Sequence, residues 1–241
     1  MPTLRDRFIK IQCRMSAAAE RSSRPVESVR LVAVSKSHPP ESLQEAVEAG
    51  VEIFGENRVQ EARSKAPLLP NSARWHFIGH LQANKVRQAL PLFELLHGVD
   101  SLSIAKDIDR VAAELGLFPK VLLEVNVAGE GTKFGFTPDA LRRQIEELLG
   151  LGRLEIVGLM AIPPLANDSE DSRQYFIRLR ELRDEVQREA RVILPELSMG
   201  MSGDFEVAIE EGATLVRVGS ALFGERRGKQ WRPAGTDLLD A

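Results

Sequence analysis

Short apolar runs rich in valine, isoleucine and leucine recur eight times along the chain, and helical patterns fill the gaps between them. They are Val29–Ser35, Val51–Phe54, Trp75–Gly79, Glu94–Val99, Lys120–Val127, Glu155–Met160, Leu197–Gly200 and Thr214–Gly219. Each is four to eight residues long and bounded by turn or cap residues, the pattern of buried strands. Strand–helix alternation builds parallel sheets, and eight units over about 200 residues match a closed barrel better than an open doubly wound sheet. No Gly-x-Gly-x-x-Gly follows the first run, which weakens a dinucleotide-binding alternative. A length of 241 residues is long for one ordinary domain but normal for such a barrel.

The intervening segments carry their own start and stop signals. Thr137-Pro138 opens one helix with a cap and a first-turn proline; Leu141, Ile145 and Leu148 form its apolar stripe and Gly150 ends it. Ser101 starts another, with Ile104, Ile108, Val111 and Leu115 on one face and Gly116 behind it. A long charged helix from about Glu170 to Arg191 is expected to bury Phe176, Leu179, Leu182 and Val186. Weaker helical segments fall at Glu41–Ala49, Glu56–Lys65, Ala83–Leu90 and Gly203–Glu211. A further helix, with Leu4, Phe8, Ile11 and Met15 on one face, precedes the first strand. The expected architecture is one α/β domain over residues 1–227, a single (β/α)8 TIM-type barrel with an extra N-terminal helix. A polar tail over 228–241, containing Trp231 and Pro233, follows it.

Composition narrows the function classes. Lysine and arginine number 32 against 35 acidic residues, a net charge of −3, so there is no bulk electrostatic case for nucleic acid or membrane binding. The apolar runs are far short of a membrane span, and the N-terminus lacks the apolar core of a signal peptide. One cysteine, Cys13, allows neither an internal disulfide nor a cysteine metal site, and the four histidines show no metal-ligand spacing. A cytoplasmic globular protein without a metal is expected.

In a parallel barrel, function gathers at the C-terminal ends of the strands. The first ends in Val34-Ser35-Lys36-Ser37-His38. Lys36 is either a solvated loop lysine or an amine whose pKa is lowered by burial, able to condense with an aldehyde. After the seventh strand, Met199-Gly200-Met201-Ser202-Gly203-Asp204 leads into a helix, and Ser202 stands where an N-cap is expected. The eighth ends Val216-Arg217-Val218-Gly219-Ser220; Gly219 lets the backbone approach a ligand, and Ser220 offers a hydroxyl and an N–H. These two loops are the common phosphate position in barrels, although an ordinary cap and an ordinary turn would look the same. Alternation puts Arg217 and Gly219 on one side of the strand, facing either a pocket or the outer helices. Asn57 could hydrogen-bond a ring substituent or only the start of its own helix. His76 and His80 flank the third strand, and Thr132-Lys133-Phe134-Gly135 forms a rim loop or a turn.

The segments Val34-Ser35-Lys36, Phe54-Gly55-Glu56-Asn57, Trp75-His76-Phe77-Ile78-Gly79, Gly158-Leu159-Met160, Leu197-Ser198-Met199-Gly200-Met201-Ser202 and Val216-Arg217-Val218-Gly219 resemble, in order and spacing, the pyridoxal-phosphate homeostasis protein family. The fold of that family is the alanine racemase N-terminal type barrel. Two departures touch the rim: Ser37-His38 where the family often carries Thr-Lys, and Lys133-Phe134-Gly135 where it often carries Lys-Ser-Gly. The resemblance implies that Lys36 holds pyridoxal 5′-phosphate as an internal aldimine. It further implies that Ser202, Gly219 and Ser220 bind the phosphate with the Met201 backbone nearby, that Arg217 meets the pyridine nitrogen, and that Asn57 lies beside the ring. A guanidinium there disfavours a protonated ring and so weakens the cofactor as an electron sink.

By the same resemblance, alanine racemases add a β-rich second domain that contributes to the partner's site, whereas here the barrel is expected to use nearly the whole chain. A racemase also needs a second acid/base, and the one tyrosine, Tyr175, falls in a helix with a packing pattern. The expected function is therefore a non-catalytic, monomeric carrier that buffers pyridoxal 5′-phosphate, delivers it to apo-forms of enzymes that use it, and affects amino-acid and keto-acid balance. The rivals are a small pyridoxal-phosphate-dependent racemase using Lys36 as one base, and a barrel enzyme acting on a phosphorylated metabolite through an imine on Lys36.

Overall fold

The structure, a computed structural model, describes residues 2–131, 133–164 and 168–224. The expected tail over 228–241, the last residues of the 1–227 domain and Thr132 lie outside the described residues. Eight strands appear in the expected order: β1 (Arg30–Val34), β2 (Ile53–Glu56), β3 (Arg74–Phe77), β4 (Leu95–Val99), β5 (Lys120–Glu124), β6 (Glu155–Met160), β7 (Glu196–Ser198) and β8 (Leu215–Val218). Each pairs in parallel with the next, and β8 returns to pair with β1, so the sheet is a closed barrel.

The helices between them follow from their caps and stripes. They are α1 (Leu4–Arg21), α2 (Pro40–Ala49), α3 (Val59–Lys65), α4 (Val86–Ala89), α5 (Leu102–Leu115), α6 (Pro138–Leu149), α7 (Arg173–Ala190), α8 (Phe205–Glu210) and α9 (Ser220–Phe223). The Thr137 hydroxyl accepts from the Ala140 amide at 3.1 Å to start α6. Ser101 does the same for α5 through the Ile104 amide, and Gly116 ends α5 in the left-handed conformation at φ +68°. The extra helix α1 carries a reciprocal cap between Thr3 and Asp6, buries Leu4, Ile11 and Met15, and packs against α2, α8 and α9. Each buried branched side chain in these stripes contributes roughly 1.5–3 kcal/mol relative to exposure.

Alternation along the strands divides the core in two. Leu31, Ala33, Phe54, Trp75, Leu96, Leu123, Leu197, Val216 and Val218 face outward into the layer beneath the helices. Val32, Ile53, Leu95, Leu122, Met160 and Leu215 face inward and fill the barrel. Arg217, two residues after Leu215, therefore points inward as well.

Several boundaries differ from expectation, three of them by more than the fraying of an element's end. The second strand runs through Glu56, because Gly55 and Glu56 pair with His76 and Phe77; its helix accordingly begins only at Val59. The long charged helix opens with a 3-10 turn, Ser169–Ser172, before α7 proper. The fifth strand leaves the ladder at Glu124, although the Val125 amide still donates to the Met160 carbonyl at 2.8 Å.

Candidate active site

Closure of β8 against β1 brings together two segments about 180 residues apart in sequence. Val32 pairs with Arg217 and Ala33 with Val218, so Lys36 and Gly219 emerge side by side at the C-terminal end of the barrel. A cavity of about 520 Å³ opens there. Lys36, Met201, Ser202, Arg217, Gly219 and Ser220 all line it, together with Val34, His38, Ile78 and Asp204. Its size lies within the range of small-molecule and cofactor sites. Six of the seven predicted site residues thus share one space. The seventh, Asn57, lines a neighbouring recess of about 460 Å³ with Arg58, His80 and Lys85.

Ser202 does not cap a helix. Asp204 holds that position at the start of α8, and its Oδ1 accepts from the Met201 amide at 2.7 Å. The Ser202 hydroxyl instead accepts from the amides of Gly219 and Ala221, at 3.2 and 3.3 Å. It therefore ties the loop after β7 to the loop after β8. A Cβ added at Gly219 would meet Val34 Cβ at 3.4 Å, which makes the wall tight at that point.

Arg217 lies in a polar chain through the barrel that sequence reasoning did not find. One guanidinium nitrogen donates to Ser198 Oγ at 2.5 Å and another to the Ala161 carbonyl at 2.9 Å. Ser198 Oγ lies 2.8 Å from His97 Nδ1, and His97 Nε2 lies 3.0 Å from His76 Nδ1. Ser198 Oγ thus bridges the Arg217 guanidinium and the His97 ring, and His97 in turn bonds to His76. Both rings are neutral in this arrangement. Burial pushes His76 down to about 3 and His97 well below the usual histidine value. The same burial lowers Arg217 to about 10, which leaves it a cation at neutral pH.

A second carboxyl group faces inward beside this chain. Glu124 is pushed up to about 7, first by burial and then by the nearby Asp100 charge, against the opposing pull of Arg217 and His80. His80 pairs with Asp100 at 2.5 Å, and the Phe134 ring stacks on it with centroids 4.1 Å apart. Thus Phe134 of the rim loop packs against the end of β3. The other rim departure, His38, stacks on Phe223 at 4.7 Å. Tyr175 packs against the outer core rather than entering the cavity, in keeping with its pattern. Ser172, which also lines the cavity, is buried with no hydrogen-bond partner for its hydroxyl among the described residues.

The family described as "Alanine racemase, N-terminal domain" matches residues 10–227. The pyridoxal phosphate homeostasis protein of Aquifex aeolicus (strain VF5) is 47% identical over 223 residues, which span 92% of this chain and 98% of that protein. The chain belongs to the pyridoxal phosphate homeostasis protein family. PipY of Synechococcus elongatus PCC7942 has been solved with PLP bound; it is 41% identical, with a TM-score of 0.80 over 92% of this chain and 100% of its own. Alanine racemase of Clostridium difficile 630 shares the barrel, at a TM-score of 0.67 and 17% identity over 84% of this chain and 54% of its own. At that identity the likeness is one of fold.

Proposed function

We propose that the protein binds pyridoxal 5′-phosphate on Lys36 and serves as a carrier and buffer of the cofactor rather than as an enzyme. The observation that carries this reading is the single cavity lined by a primary amine and, across the β1–β8 seam, by the paired loops that Ser202 joins. These residues fit a phosphorylated aldehyde. Lys36 would hold the aldehyde carbon, and Ser202, Gly219 and Ser220, with the Met201 backbone, would hold the phosphate. Arg217 would face the ring nitrogen, and Asn57, from the adjacent recess, would reach the ring edge. When bound, the cofactor supplies an electrophilic carbon and an electron-accepting ring.

The chain's own residues favour holding over turnover. Arg217 is kept cationic and pinned by two hydrogen bonds, so beside a ring nitrogen it would act as a donor and would oppose protonation there. The neutral His97 and His76 behind it supply no proton at physiological pH. The relatives support the same reading through their names. The finer parts of the proposal are a monomeric, cytoplasmic protein that passes the cofactor to apo-forms of enzymes and thereby affects amino-acid and keto-acid balance. Neither nucleic acid nor a membrane is a proposed partner; among the described residues no helix is long and apolar enough to cross a membrane.

A spectral titration with pyridoxal phosphate tests the binding. Wild type is expected to develop a near-ultraviolet to visible band that Lys36→Ala does not, and an unchanged band in Lys36→Ala would remove the attachment site. Incubating the loaded protein with single amino acids in deuterated water separates carrier from racemase. Sustained α-proton exchange would overturn the carrier reading.

A further inference from the structure

Behind the cavity, in the layer between the strands and α3, lies a second polar cluster. Lys65, the last residue of α3, is fully buried. Its ammonium donates to Glu56 Oε1 at 2.8 Å, Glu61 Oε2 at 2.9 Å and the Ser35 carbonyl at 3.0 Å. The Ser35 hydroxyl donates to Glu56 Oε1 at 2.7 Å, and the Ser37 amide donates to Glu61 Oε2 at 2.8 Å. Lys65, Glu56 and Glu61 thus grip Ser35 and Ser37, the residues immediately before and after Lys36.

The backbone between those grips is a tight turn. The His38 amide donates to the Ser35 carbonyl at 3.1 Å, which makes Lys36 and Ser37 the two central residues. Ser37 adopts φ +65°, the left-handed conformation that turns of this kind normally give to glycine or asparagine. A serine stays there only if its surroundings hold it, and its amide is held by Glu61. Nor is the cluster built for stability alone. Buried ion clusters are commonly matched or surpassed by apolar packing of equal volume, and Glu56 Oε2 is buried with no hydrogen-bond partner among the described residues.

We infer that the Lys65–Glu56–Glu61 cluster is a positioning device for Lys36, fixing the Ser35–His38 turn so that the lysine amine is presented to the cavity. The inference rests on the proposed attachment of pyridoxal phosphate to Lys36, and its test separates the two. Glu61→Ala frees the Ser37 amide without touching the cavity lining. In the unloaded protein, amide hydrogen exchange at Ser37 should accelerate by at least about tenfold, the equivalent of one lost hydrogen bond to a charged group. Affinity for pyridoxal phosphate should fall by about the same factor. Adding Ser37→Gly to Glu61→Ala should recover most of that affinity, because glycine holds the left-handed turn unaided. A merely structural cluster predicts no such rescue.

Should Glu61→Ala fail to fold, the charge-free variant Lys65→Met/Glu56→Leu/Glu61→Leu takes its place, with the same two readouts and the same rescue. Faster exchange with unchanged affinity, or no recovery on adding Ser37→Gly, overturns the inference. If wild type itself takes up no cofactor, the proposed function fails instead. Site-resolved reductive methylation of Lys36 then decides the inference: Glu61→Ala should change its rate relative to Lys133, and an unchanged rate would refute the positioning role.

Discussion

Replacing Ser198 with alanine should weaken the barrel more than its single lost oxygen suggests. The side chain is fully buried and stands between Arg217 and His97. Alanine deletes the acceptor for one guanidinium N–H, and a hydrogen bond to a charged group is worth about 1.5–3 kcal/mol. It also leaves His97 Nδ1 without its partner, and an unsatisfied buried polar group costs about 1–3 kcal/mol. Neither group can turn to solvent, since His97 is fully buried and Arg217 nearly so. Together these come to about 2.5–6 kcal/mol, less whatever relaxation of the rings recovers. Urea unfolding at pH 7, followed by circular dichroism and extrapolated to water, measures it against Ser220→Ala, an exposed control expected to fall within about 0.5 kcal/mol of wild type. A loss below about 1 kcal/mol for Ser198→Ala would mean that Arg217 and His97 are satisfied independently, and the relay through Ser198 would be refuted.

Glu124 sets a pH dependence of definite sign. Its folded value of about 7 stands above the ordinary 4.5, so the folded barrel keeps a proton that the unfolded chain releases. The stability this gives is complete below about pH 4.5 and disappears as pH rises through about 7; relative to Glu124→Gln, wild type should gain about 3 kcal/mol between pH 7.5 and 4.5, and a flat difference would contradict the buried carboxyl. Gly98→Ala should prevent folding or leave a grossly destabilised protein, because the added Cβ would lie 2.1 Å from the Gly79 carbonyl oxygen. A Tm near that of wild type would show that β3 and β4 can separate there. Thr137→Ala removes the cap of α6 and should cost about 1 kcal/mol in the same urea assay, with no change in cofactor affinity.

The barrel was legible because each of its strands is buried on both faces. Parallel strands so placed read as continuous apolar runs, and the Thr137, Ser101 and Gly116 signals mark the helices between them. Placing function at the strand ends follows from that topology, and Lys36, Ser202, Gly219 and Ser220 do line one cavity there. Groups whose meaning depends on a partner far along the chain were not legible. Ser202 reads as a helix cap locally, yet its hydroxyl serves amides 17 and 19 residues away. His97 and Ser198 meet across 101 residues, and only the inward alternation of Leu95 and His97 hints that this histidine enters the barrel. Lys65, amid Arg63, Ser64 and Glu61, reads as a solvated helix face; its burial becomes evident only once β2 is seen to carry Glu56 outward.

The most direct measurement is to load the protein with pyridoxal phosphate, reduce it with borohydride and map the modified peptide by mass spectrometry. A single phosphopyridoxyl group on Lys36, absent from Lys36→Ala, is the expected result. Modification centred on Lys133 or another lysine while Lys36 stays unmodified would contradict the assignment of the cavity.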